Sequence, residues 1–316
     1  MQNTFLWHIQ IRLNHSGVDQ AVQLLETMGM QAVGWSECDD SAPSDLLDEQ
    51  GFFIAEEFLV EGFSKAEPDY HTIHTGLMAL SAVHKIPQAH LQIAPVDNRD
   101  WLSVCYQQLP PHTIGRFYVY GSHNTEPFPD GLIPLQVNAA TAFGSGDHQS
   151  TTGCLLAISD FADTHQFSKM LDMGCGSGIL AIAMAKVWQG RIVAVDNDPE
   201  SVRVVAENSH INDCDPLVEK VLSEGFAHPA LNQLNEEFDL IVANILAKPL
   251  CLMAADVKRS LKSGGFVILS GLLDRQQDQV LQAYRDQGLF LFKSYHIDQW
   301  ATLVLSANAD LCPPVS

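Results

Sequence analysis

Leu171-Asp172-Met173-Gly174-Cys175-Gly176-Ser177-Gly178 sets three alternate glycines between an apolar segment and a second apolar run that starts at Ile179. Glycines at such a turn let the main chain bend through conformations closed to other residues and let a ligand approach the backbone closely. Asp196 lies 22 residues after Gly174, at the end of Ile192-Val193-Ala194-Val195. A carboxylate at the tip of that strand accepts hydrogen bonds from ribose hydroxyls. The two features together describe a nucleoside-binding crevice at the carboxyl end of a parallel sheet.

Two cofactors compete for such a crevice. A dinucleotide needs G-x-G-x-x-G, so that its pyrophosphate sits on a helix N-terminus. Here the spacing is G-x-G-x-G, and Ile179 stands where the last glycine would be. Asp172 adds a carboxylate where a pyrophosphate would be repelled and where a cation, such as the amino group of a methionine moiety, would be welcome. S-adenosylmethionine is therefore expected over NAD, held by Asp172, Gly174, Gly176 and Asp196.

Two more segments carry chemistry. Asn244 ends the apolar run Leu240-Ile241-Val242-Ala243 and is followed by Ile245-Leu246-Ala247. Its place resembles that of the asparagine in the N-P-P-Y motif of amine-directed methyltransferases, where Asn and backbone carbonyls hold the target nitrogen. An asparagine that merely ends a strand is the other reading. Phe143-Gly144-Ser145-Gly146-Asp147-His148-Gln149-Ser150-Thr151 is a glycine-rich loop feeding a helix that runs through about Phe161. Ser150 or Thr151 caps that helix, or a hydroxyl of the loop touches the polar end of the cofactor; His148 is either part of that arrangement or a plain loop histidine.

The elements around these residues follow from hydrophobic periodicity. Alternation from Phe5 to Leu13 predicts a strand, Val18 to Met28 a helix ending at Gly29, and Gln31 to Ser36 and Phe52 to Val60 two strands. Tyr70 to His84 reads as a helix and Leu91 to Val96 as a strand. The order β-α-β-β-α-β predicts a ferredoxin-like domain. Between Asp97 and Pro134 the pattern weakens, with one short strand at Arg116 to Tyr120. From Phe143 onward strands and helices alternate. Strands are expected at Met170 to Met173, Arg191 to Asp196, Leu217 to Leu222, Phe238 to Asn244 and Phe266 to Gly271. Helices fall at Ile179 to Val187, Pro199 to Ser209, Leu250 to Leu261 and Asp274 to Gln287. Such alternation means a mostly parallel, doubly wound sheet. Two closing strands, Leu289 to Ile297 and Trp300 to Leu305, force an antiparallel strand into it. The expected organisation is a smaller N-terminal ferredoxin-like domain (1–97), a connector (98–130) and an α/β catalytic domain (131–316).

Composition narrows the partners. With 38 acidic against 17 basic side chains, the formal charge is −21, which repels a phosphate backbone and attracts a basic protein. Neither a nucleic-acid substrate nor a membrane is expected: no apolar run reaches the roughly 18–20 residues of a spanning helix, and the first residues lack the pattern of a signal peptide. A cytoplasmic protein is the reading. The seven cysteines are scattered without C-x-x-C spacing, so neither a disulfide framework nor a zinc site is expected.

In combination and order, the three chemical segments resemble the PrmA family, the methyltransferases of large-subunit ribosomal protein eleven. There a loop F-G-T-G-x-H-x-T-T precedes the cofactor motif, and N-I-L-A ends the fourth strand. This chain has F-G-S-G-D-H-Q-S-T, then L-D-M-G-C-G-S-G-I-L-A-I-A, then V-A-N-I-L-A-K-P-L, then L-S-G-L-L. The resemblance spans about Asn138 to Gly288. It implies the seven-stranded class I fold of S-adenosylmethionine-dependent methyltransferases, with Thr151, Gly174, Asp196 and Asn244 contacting the cofactor and Asn244 orienting the amine. It also implies a basic ribosomal protein as substrate, recognised by the N-terminal domain (1–97) and methylated on lysine and N-terminal amines; a monomer is expected. Ser145 and Ser150 stand where threonines are usual, and Cys105 where a tryptophan is expected. Two other readings are a methyltransferase for another protein or small amine, and a non-catalytic cofactor-binding module; a dehydrogenase is a third.

Overall fold

The computed structural model describes residues 5–14, 17–38, 57–84, 90–97, 111–122, 124, 128–137, 148–232 and 237–311. The chain divides into two units, Met1–Cys105 and Tyr106–Ser316.

In the first unit β1 (Phe5–Leu13), β2 (Gln31–Glu37), β3 (Phe58–Ser64) and β4 (His90–Asp97) form one sheet in the order β2-β3-β1-β4. Every neighbouring pair is antiparallel. Ile9, Ile11 and Leu13 on β1 and Phe58 and Val60 on β3 point to one side. There they bury against Val18, Ala21 and Leu25 of α1 (Val18–Thr27) and Ile73 and Leu77 of α2 (Tyr70–His84). This is the ferredoxin-like arrangement. The third strand differs from the sequence expectation. It runs to Ser64 instead of ending at Val60, while residues 52–56 of the expected strand lie outside the described residues. Its inward position after Val60 is Gly62, where a Cβ would press on Leu25 Cδ1 at 3.2 Å. The inward row continues without a side chain, so the alternation fades in the sequence although the strand does not.

The second unit is built on a seven-stranded sheet in the order β10-β9-β8-β11-β12-β14-β13. Its strands are β8 (Lys169–Met173), β9 (Arg191–Asp196), β10 (Val218–Leu222), β11 (Phe238–Asn244), β12 (Leu261–Leu273), β13 (Phe290–Ile297) and β14 (Trp300–Ser306). The first five are parallel to one another, and β14 is antiparallel to both β12 and β13. Both faces are covered, which is why these strands read as nearly unbroken apolar runs. Leu240 and Val242 face α3 (Gln149–Phe161), α4 (Ile179–Trp188) and α5 (Pro199–Ile211). Ile241 and Ala243 face the other way, toward the helices that follow the one-turn α6 (Pro229–Asn232): α7 (Ala247–Leu252), α8 (Ala254–Ser260) and α9 (Gln277–Arg285). A smaller sheet of β5 (His112–Ile114), β6 (Phe117–Tyr120) and β7 (Ile133–Gln136) adjoins α3. The Arg116 guanidinium ties it there, donating to the Ser159 carbonyl at 3.0 Å and to Asp163 at 2.7 Å.

Two helices differ from expectation. The single helix expected from Leu250 to Leu261 is α7 and α8, broken at Met253. It stops at Ser260, before the Gly264-Gly265 pair. Leu261 is already paired with Phe238, and the glycines occupy the irregular stretch before Phe266 joins Leu240. The helix expected from Asp274 opens as a tight turn, Asp274–Gln276, and becomes α-helical only from Gln277.

Candidate active site

The strand order reverses between β8 and β11, and ligands of open α/β sheets bind at such a switch point. The glycine turn leaves β8 there. Gly174, Gly176 and Gly178 have φ of +72°, +51° and +80°, a region that favours glycine. The turn folds over β9: the Gly174 and Cys175 N–H groups donate to the Val195 carbonyl at 2.8 and 3.0 Å. A Cβ at Gly174 would overlap Ile245 Cγ2, so the turn and the end of β11 are in direct contact. Gly178 packs against Val205 and begins α4.

Asp196 serves the protein as well as any ligand. Its Oδ2 accepts the Gly176 N–H at 2.8 Å and its Oδ1 the Asp198 N–H at 3.0 Å. A carboxylate offers about four acceptor positions, so about two remain for hydroxyls. Asp172, expected to meet a ligand amine, has one carboxylate oxygen engaged within the protein. It is completely buried under the turn. Its Oδ2 accepts the Ala181 N–H of α4 at 2.9 Å, and its Oδ1 has no partner among the described residues. Burial, opposed by the Ala181 hydrogen bond and reinforced by the Asp196 charge, pushes its carboxyl up to about 7. Cys175 between the glycines is buried, and burial together with Asp172 and Asp196 holds its thiol well above the usual range.

Asn244 and Thr151, 93 residues apart, meet at the same crevice. Asn244 Nδ2 donates to Thr151 Oγ1 at 3.2 Å. Asn244 Oδ1 is buried with no partner among the described residues, so one acceptor at the end of β11 is left unsatisfied. The cap of α3 is neither Ser150 nor Thr151. It is His148, whose Nδ1 accepts the Ser150 N–H at 3.3 Å, leaving the Thr151 hydroxyl for Asn244. The loop residues 138–147 lie outside the described residues. Asn208 escaped the sequence reading altogether. It is buried on α5 and donates from Nδ2 to the Ser177 carbonyl at 2.8 Å, pinning the glycine turn from behind. An apolar-faced helix with one buried amide carries no local signal for that role.

The model of the ribosomal protein L11 methyltransferases (PrmA) matches residues 5–308. The chain belongs to this family. The ribosomal protein L11 methyltransferase of Brucella abortus (strain S19) is 42% identical over 207 residues, covering 66% of this chain and 72% of that protein. Its counterpart in Bradyrhizobium diazoefficiens is 40% identical over 210 residues, covering 66% and 71%. The crystal structure of a ribosomal protein L11 methylase from Lactobacillus delbrueckii subsp. bulgaricus superposes with a TM-score of 0.54 at 27% identity, over 60% of this chain and 94% of that one. As a PrmA family member the chain is a class I methyltransferase, and its cofactor is S-adenosylmethionine.

The crevice fits that cofactor. Gly174, Gly176 and Gly178 hold the turn in backbone conformations that favour glycine, Asp196 keeps free acceptor positions at the tip of β9, and the carboxyls of Asp172 and Asp196 favour a cation over a pyrophosphate. Among the described residues no group of three His, Cys, Asp or Glu side chains is placed to hold a metal, and Cys154, Cys175, Cys214 and Cys251 are free thiols.

Asp172 makes the fit testable by pH. A carboxyl raised from 3.8 to about 7 in the folded protein keeps its proton where the unfolded chain has lost it. The cofactor-free protein therefore loses stability as pH rises from about 4 to about 7 and levels off above that. A bound cation lowers the same pKa, so binding near pH 7 is expected to release a fraction of a proton. Calorimetric titration in two buffers of different ionisation enthalpy measures it. Asp172→Asn should abolish the release; an unchanged release in that variant would assign it to another group.

Proposed function

We infer that this chain transfers methyl groups to amines of ribosomal protein L11, on lysine side chains or the N-terminus. The observation that carries the reading is the buried Asn244 Oδ1, which has no partner among the described residues. Asn244 precedes Ile245, the residue that packs on the glycine turn, and its Oδ1 is an acceptor available to an amine.

S-adenosylmethionine supplies an electrophilic methyl on a sulfonium. At a lysine pKa of about 10.4, about one amine in 2,500 is neutral at pH 7. The protein therefore has to favour the neutral form and then align its lone pair. Covering the amine disfavours its charged state. Asn244 Oδ1 accepts one amine N–H and directs the lone pair away from itself, and Thr151, receiving Asn244 Nδ2–H, fixes which end of the amide is the acceptor. An amide takes no proton at neutral pH, so Asn244 orients and the amine loses its proton to water before attack. Gly174, Gly176 and Asp196 hold the nucleoside end, and Asp172 acts from beneath through its charge and its hold on Ala181.

Charge supports a basic acceptor. Residues 1–105 carry 15 acidic and 4 basic side chains, about half of the excess of the whole chain in one third of its length. Opposite charge accelerates encounter and selects partners. This acidic unit is assigned to substrate recognition, and the same charge disfavours RNA or DNA as the direct substrate. No helix among the described residues is long and apolar enough to cross a membrane, and a cytoplasmic location suits a ribosomal substrate. The protein is proposed to work as a monomer, with solution mass by light scattering as the check. The test is release of S-adenosylhomocysteine in the presence of purified L11. Release that follows L11 concentration supports the reading; cofactor binding without release, with L11 present, overturns it.

A further inference from the structure

We propose that Ser270 is a positioning residue for the transfer, holding Asn244 against the first turn of α3 through a closed ring of hydrogen bonds. The kinetic part of its test rests on the methyl-transfer reading above.

Ser270 lies on β12, directly opposite Asn244 in the parallel ladder, and is completely buried. Its carbonyl accepts the Ile245 N–H at 3.1 Å, fixing the main chain that follows Asn244. Its Oγ donates to the Ser150 carbonyl at 3.1 Å, fixing the main chain that precedes Thr151. Asn244 Nδ2 and Thr151 Oγ1 close the ring at 3.2 Å. Each link restrains the next, so the amide is held from both of its sides.

A hydroxyl has one proton and three candidate acceptors lie near this one: the Ser150 carbonyl, the Ala301 carbonyl at 3.3 Å and Thr302 Oγ1 at 2.7 Å. Thr302, buried on β14, can donate to Ser270 Oγ and so leave the Ser270 proton for Ser150. The closing antiparallel strand thereby reaches the site. Thr302 also touches α3 itself, since a Cβ at Gly153 would overlap its Oγ1. The next residue, Gly271, has φ of +82°, and a Cβ there would strike the Ile245 backbone. Ser270 and Gly271 are the centre of the L-S-G-L-L segment, which the cofactor pocket alone leaves without a task.

A serine that only satisfies the core and one that positions Asn244 differ in coupling. In Ser270→Ala, kcat is expected to fall about tenfold with the KM for the protein acceptor changed by less than about twofold. In the Asn244→Ala background the same change is expected to have no further effect. Equal fold losses in both backgrounds would overturn the proposal. Should Ser270→Ala fail to fold, Thr302→Val and Thr302→Ser decide: loss of kcat in the first with recovery in the second is expected, and equal behaviour of the two contradicts it. Native-state hydrogen exchange gives a readout without turnover. Ser270→Ala should speed exchange of the Thr152 amide, which donates to the His148 carbonyl, while residues 240–243 stay protected. Unchanged exchange overturns the positioning role. Should the wild type not methylate L11, the acceptor assignment fails and the exchange result still decides for or against Ser270.

Discussion

Asn244→Ala is expected to lower kcat for methyl transfer about a hundredfold, the size of effect seen when one preorganised partner is removed from a reacting centre. The argument rests on how the side chain divides its two polar ends. Nδ2 is committed to Thr151, and Oδ1 is buried and unpartnered among the described residues. Alanine removes the amine's acceptor and leaves the Thr151 hydroxyl without its donor. The structural cost is one neutral hydrogen bond, about 1 kcal/mol, so the melting temperature should fall by no more than about 4 °C. Rate and stability thus part company, and steady-state kinetics beside a thermal scan will separate them. A loss confined to KM would make Asn244 a binding contact; full activity would remove it from the mechanism.

The second large effect is structural in origin. Gly271→Ala should destabilise the protein by about 3 kcal/mol and lower its melting temperature by about 10 °C. At φ of +82° an alanine carries an intrinsic cost of about 1–2 kcal/mol. The added methyl would also meet the carbonyl O, C and N of Ile245. Those are main-chain atoms, so no rotamer change relieves the clash. By contrast, a Cβ at Gly174 would meet only the Ile245 side chain, which can shift. Relief at Gly271 would have to displace Ile245 and, with it, Asn244, so activity should fall further than stability alone requires. Melting that matches the wild type would show that β12 and the end of β11 are not packed as closely as described.

Local chemistry was legible in the sequence and long-range pairing was not. The glycine turn and the strand from Phe238 to Asn244 are written in contiguous residues, and their positions follow from spacing alone. The parallel sheet was legible because burial on both faces turns β8, β9 and β11 into plain apolar runs. Asp172 shows the limit: its type and place suggested a ligand contact but gave no sign that one carboxylate oxygen is taken by Ala181, nine residues on, at the otherwise unpaired N–H groups of the α4 N-terminus. The Thr151–Asn244 and Ser150–Ser270 contacts span 93 and 120 residues. They are products of strand order, which no local pattern encodes. His148 as the cap of α3 was obscured by the neighbouring serine and threonine, the commoner capping types. The break at Met253 and the early start of β12 reflect pairing with Phe238, a tertiary contact that overrides the helical pattern before the glycines are reached.

The most direct test of methyl transfer to a basic ribosomal protein is the intact mass of purified L11 after incubation with this protein and S-adenosylmethionine. Growth of the L11 mass in whole methyl increments, absent without cofactor and strongly slowed by Asn244→Ala, is the predicted result. An unchanged L11 mass, with S-adenosylmethionine binding intact by calorimetry, would contradict the assigned acceptor.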